Sequence, residues 1–199
     1  MSLKMMLVAA LALVMVSCGG GSGGNAALQK KSASTSFKAI SALGPSILSS
    51  VSLLSNKLRL QDTKSGDLTC ESGGGTVTVT STENSLSIVL KAPDTGCTSG
   101  GTTIKTPADG LSMTFTGSGD VNTTFTFTLA INGSATITTG GSTETFSYTN
   151  FSIKIEASNT GTAQKPVVKA TVTINGSVTS TTDGKQTFDN VKYTEADLN

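Results

Sequence analysis

The chain has 199 residues, with 33 threonines, 27 serines and 22 glycines, no histidine and no tryptophan, 14 % charged residues and a formal net charge of +1. So little charge argues against a charge-driven disordered chain, and no basic body is present to hold nucleic acid. Without histidine the commonest acid–base group and zinc ligand is missing, so the expectation is one mature domain that is not an enzyme and takes no cofactor and no metal.

Lys4 precedes an apolar run from Met5 to Val16. Twelve residues are too few to span a bilayer, which needs about 20, but they suit the hydrophobic core of a secretory signal. The run ends in Met15, Val16, Ser17 and Cys18. This resembles the lipobox of bacterial lipoproteins, in which a small residue precedes the lipidated cysteine; Met15 stands where leucine is commonest. The resemblance covers residues 1–18. It implies export, removal of residues 1–17, a diacylglycerol thioether on Cys18, and usually a further fatty acid such as palmitate on the new amino group. Residues 18–25 then form a tether, because the Gly/Ser stretch Gly19–Gly24 behaves as flexible coil. Two or three acyl chains hold a protein firmly where one holds it weakly. The implied location is a bacterial membrane, and the outer membrane or cell surface in a Gram-negative cell.

Residues 26–61 are basic. Between Gly19 and Gln61 there are five cations (Lys30, Lys31, Lys38, Lys57 and Arg59) and no acid, whereas residues 62–199 carry eight lysines against thirteen acids. Phe37, Ile40, Leu43, Ile47, Val51, Leu54 and Leu58 recur at three- and four-residue steps, the spacing of one helix face. Gly44-Pro45 predicts a kink, or two helices over 26–43 and 45–59. The stripe suits packing on a sheet; Lys30, Lys31 and Lys38 suit a position toward anionic headgroups.

From residue 62 onward the pattern changes to period two, and a Thr-rich antiparallel β domain is expected over 62–199. "TVTVT" (Thr76–Thr80) and "SLSIVL" (Ser85–Leu90) read as a hairpin, and Leu111–Gly117 as a further strand. Residues 91–110, with their Pro and Gly turns, read as a long loop tied back by Cys97. With Cys18 assigned to lipid, Cys70 and Cys97 are left to form one disulfide in an exported domain. Asp120 and Asn122 read as a turn rather than a calcium loop.

"INGSATITTGGSTETF" (Ile131–Phe146) and "INGSVTSTTDGKQTF" (Ile174–Phe188) share ING-S-x-T, a glycine turn and T-F, which suggests a unit of about 42 residues occurring twice. Asn-Gly is a strong hairpin signal, yet parity opposes a turn there. Phe125, Phe127, Leu129 and Ile131 are odd, and beyond the Asn-Gly Ala135 and Ile137 are odd again. Val168, Ala170, Val172, Ile174 and Val178 repeat this at even positions. Continuous strands near 123–138 and 167–181 are therefore predicted, turning at "TGGS" and "TDGK", each bent at its glycine. Phe146 and Tyr148 are even but Phe151, Ile153 and Ile155 are odd, so a β-bulge is predicted near Asn150. A last strand covers 186–194.

The expected fold is α+β, mainly β: an amphipathic helix packed on a strongly bent antiparallel sheet of long strands, as an open or half-closed barrel. That architecture resembles the half-barrels of periplasmic lipid and lipoprotein carriers. Two functions fit: an interaction or structural domain on a membrane anchor, with a protein partner, or a carrier that shelters an apolar ligand against Phe125, Phe127, Leu129, Ile153 and Ile155.

Overall fold

The computed structural model describes residues 62–119, 124–159 and 168–194. Alternation of threonine or serine with Val, Ile, Leu and Phe builds eleven strands there. They are β1 (Thr63–Asp67), β2 (Ser72–Gly73), β3 (Thr76–Ser81), β4 (Ser85–Lys91), β5 (Cys97–Ser99) and β6 (Thr102–Lys105). Then come β7 (Leu111–Gly119), β8 (Thr124–Thr139), β9 (Ser142–Asn159), β10 (Val168–Ser180) and β11 (Gly184–Thr194). All pairs are antiparallel and belong to one sheet.

The backbone of that sheet is the meander β8-β9-β10-β11. The other edge of β8 is shared by two branches. β7 pairs with its first part (Leu111↔Gly133 to Gly119↔Phe125) and continues to β4, β3 and β1. β6 pairs with its second part (Lys105↔Thr136 to Thr102↔Thr139) and continues to β5 and β2. The fork is closed by Thr106, whose N–H donates to the Ala92 carbonyl at 3.1 Å and whose Oγ1 accepts the Ala92 N–H at 2.9 Å.

The fork lies on a line that runs from the residue before β7 across β8, β9, β10 and β11. Gly110 (φ 88°), Gly133 (φ 105°), Asn150 (φ 49°), Gly176 (φ 88°) and Asn190 (φ 49°) all have left-handed backbone. Asn150 is an extra residue in β9: the register passes from Ile131↔Phe151 to Gly133↔Tyr148 on one side and from Asn175↔Ser152 to Ser177↔Thr149 on the other. β11 has a second bulge, between Ile174↔Val191 and Gly176↔Phe188. Bulges bend strands and let long strands serve two sheet layers. The result is a creased sheet with core residues from both sides of the crease in one cluster, among them Val77, Ile88, Leu111, Leu129, Phe146, Ile174 and Phe188. Tyr148 and Phe188 stand opposite Gly133 and Gly176, where an aromatic ring fills the space a glycine leaves. Phe151 links them, with ring centroids 5.6 Å from Tyr148 and 5.9 Å from Phe188.

Several expectations hold. The predicted strands near 123–138 and 167–181 run unbroken through Asn-Gly as β8 and β10, and the bulge falls at Asn150. The turns are at Gly140-Gly141, both with positive φ, and ahead of Gly184.

The fold class is corrected. The described residues are all β, without a helix, and the sheet is not a barrel, open or half-closed: β1 and β2 end its two branches, and β11 pairs only with β10 among them. Closure needs strands staggered evenly around an axis. Here the bend is concentrated at one crease, and the β8 edge splits into short branches, so among the described residues no full-length strand faces β11. The helix expected within 26–61 lies outside the described residues. Residues 91–110 are also not one loop, since they contain β5 and β6, joined by Gly100-Gly101 with φ 56° and 73°.

Candidate functional site

The creased sheet has an apolar face and a hydroxyl face, and each residue's parity decides which it joins. On the apolar face the five residues expected to line a ligand site are brought together on β8 and β9. Phe125 is opposite Ala157, Phe127 opposite Ile155, and Leu129 opposite Ile153. Phe127, Leu129, Ile153 and Ile155 are buried and Phe125 packs against them. The Phe127 ring lies 6.1 Å from that of Phe115. These side chains belong to the same cluster as the rest of the core.

Sequence reasoning missed a polar group on this face. Glu144 and Tyr148 share a face of β9, beyond the crease from Ile153, and Ser180 of β10 pairs with Phe146 between them. The Ser180 hydroxyl donates to Glu144 Oε1 and accepts the N–H groups of Thr182 and Asp183, both at 3.1 Å, which fixes the β10–β11 turn. Tyr148 is 4 % exposed and its hydroxyl has no hydrogen-bond partner. Burial, reinforced by the Glu144 charge, pushes the phenol well above the ordinary tyrosine pKa, so it remains a neutral donor. The available signal was an acid, Glu144, at the parity of Phe146 and Tyr148.

The opposite face is a hydroxyl surface. Thr63, Thr80, Ser87 and Thr114 form a row across β1-β3-β4-β7, with Thr63–Thr80 Oγ1 atoms 3.0 Å apart and Thr114 donating to Ser87 at 3.3 Å. Thr98, Thr103, Thr138 and Thr143 form another across β5-β6-β8-β9, with hydroxyl pairs at 2.8 and 2.9 Å. Such cross-strand pairs each contribute about 0.2–1 kcal/mol. Ion pairs are few among the described residues: Lys64–Asp62 at 3.1 Å and Lys154–Glu156 at 2.9 Å.

Cys70 and Cys97 form the expected disulfide, with Cα atoms 5.3 Å apart. It joins the segment before β2 to β5, in the branch whose strands are too short to hold themselves. Among the described residues no group of His, Cys, Asp or Glu could hold a metal ion. Cys18, Lys30, Lys31, Lys38, Asp120 and Asn122 lie outside the described residues. The chain matches no protein-family model, no curated protein and no solved structure.

Proposed function

We propose that the chain is an exported bacterial lipoprotein, held to a membrane by lipid on Cys18, whose β domain is a non-enzymatic interaction or structural module. The observation that carries export is the Cys70–Cys97 bridge, since such bonds persist in oxidising compartments outside the cytosol. The apolar run that ends at Cys18, followed by a Gly/Ser tether, supports the anchor. Two features support an interaction module over a carrier. The residues that would line a ligand site are packed into the common core. The opposite face presents rows of neutral hydroxyls with little charge to select a small ion.

The test is metabolic labelling with a clickable fatty acid in a bacterium that expresses the full chain. The label is expected on the chain in the membrane fraction and absent from Cys18→Ala. A chain that takes no label, or takes it equally after Cys18→Ala, contradicts the anchor.

A further inference from the structure

We infer that the outer edge of β11 is a docking site for an extended strand of another protein, one that carries a glycine in left-handed conformation as Asn-Gly does in β8 and β10. The inference rests on the interaction-module reading and names the partner's chemistry.

The chain itself shows how such an edge is filled. The β8–β9 hairpin ends in an outer edge interrupted by the Asn150 bulge, and β10 nevertheless pairs along it from Val168↔Asn159 to Ser180↔Phe146. What makes this possible is Gly176. A Cβ there would lie 2.1 Å from the Asn150 carbonyl oxygen and 2.7 Å from the Phe151 Cα, and its φ is 88°. A strand with side chains throughout meets the bulge and stops; a strand with a left-handed glycine nests against it.

The β10–β11 hairpin repeats the device. Asn190 in β11 has the φ of Asn150, 49°, and its N–H is held by Asn175 Oδ1 at 2.8 Å, as the Asn150 N–H is held by Asn132 Oδ1 at 2.9 Å. β11 thus offers outward the geometry that β9 offers to β10. Among the described residues β11 pairs only with β10, and at 11 residues it is about twice the length of a typical strand. The bulge, with exposed Lys185 and Lys192, discourages flat strands from adding there. The edge therefore selects by exclusion, admitting the strand type that this fold already fits to a bulge. Asn-Gly occurs in this chain only at Asn132-Gly133 and Asn175-Gly176, and among the described residues the strands that carry it, β8 and β10, are each paired on both edges, which points to an occupant from a different molecule.

The probe is a labelled peptide with the β10 sequence VKATVTINGSVTS, added to the full chain in detergent and followed by fluorescence anisotropy and hydrogen exchange. The expected result is saturable one-to-one binding, with new protection confined to residues 184–194. A peptide with Gly176→Val should bind at least about tenfold more weakly, since the clash and the strained φ together cost more than 1.4 kcal/mol. Absence of saturable binding overturns the inference, as does equal binding of the Gly176→Val or a scrambled peptide. Faster exchange in β10, which marks strand replacement, also overturns it. So does self-association of the chain through β11 without peptide binding. A chain that carries lipid but binds no peptide loses only the edge site; one that binds peptide but takes no lipid loses only the anchor.

Discussion

Asn175 accepts the backbone N–H of Asn190 through its side-chain oxygen at 2.8 Å, across the bulge of β11. The same contact joins Asn132 to Asn150 at 2.9 Å in the preceding hairpin. A bulge leaves one N–H out of the ladder, and the asparagine beside the facing glycine supplies its acceptor. Asn175→Ala should lose about 1 kcal/mol, the net worth of one such bond, and Asn132→Ala a similar amount. Urea unfolding of each variant checks this; a change below about 0.3 kcal/mol in both would show that the bulges hold without their caps.

Gly176→Ala should be far more damaging. The new methyl meets backbone on β9, which cannot swing away, and φ is left-handed. A loss above about 3 kcal/mol, or failure to fold, is expected. Gly140→Ala is the control: its φ is also positive at 57°, but a Cβ there has nothing within 4 Å. About 1 kcal/mol is expected from backbone strain alone. Thermal melts of the pair separate space from conformation.

Tyr148→Phe should raise stability by about 1 kcal/mol at neutral pH, because it removes a buried hydroxyl that has no partner. The pH dependence follows from the raised pKa of Tyr148, caused first by burial and then by Glu144. In the unfolded chain this phenol ionises near pH 10, whereas in the folded chain it stays neutral to higher pH. The phenol therefore adds no pH-dependent penalty below about pH 10, and stability falls as pH rises beyond that, because the unfolded chain can ionise it and the folded chain cannot. Alkaline unfolding should be delayed in Tyr148→Phe, as read by circular dichroism between pH 9 and 12.

Replacing Cys70 and Cys97 together by serine should cost about 3.6 kcal/mol by loop-entropy reasoning for a separation of 27 residues. The loss should appear as early hydrogen exchange in β2, β5 and β6, which the bridge supports, while the β8–β11 meander stays protected. A uniform loss across the domain would show that the short branch is cooperative with the rest.

Much of the long-strand geometry was legible in the sequence because parity is unforgiving: one slip moves every side chain to the other face. The switch from Phe146 and Tyr148 to Phe151 and Ile153 locates the first bulge. The same switch, from Phe188 to Val191, marks the second at Asn190. Matching the two copies on T-F aligned Phe188 with Phe146, whereas the register sets Phe188 opposite Gly176 as Tyr148 stands opposite Gly133. β5 and β6 escaped because β6 has one apolar residue, Ile104, and β5 has only Cys97; alternation cannot show in three or four residues. The half-closed barrel failed because a bent strand reveals nothing of how its bend combines with its neighbours'. Gly110, Gly133, Asn150, Gly176 and Asn190 fall on one line only once the strands are paired. Phe125, Phe127, Leu129, Ile153 and Ile155 meet on one face through the β8–β9 register, but Phe127 and Ile155 read the same in sequence whether they face a ligand or a core. The buried Tyr148 hydroxyl was invisible, since a tyrosine at core parity carries no mark of whether its oxygen is satisfied.

The most direct test of the lipid-anchored export account is the intact mass of the chain extracted from bacterial membranes. The predicted mass begins at Cys18, carries diacylglycerol with or without a further acyl chain, and lacks two hydrogens for the Cys70–Cys97 bridge. An unmodified Cys18, or a chain that retains residues 1–17 and reduced thiols, would contradict it.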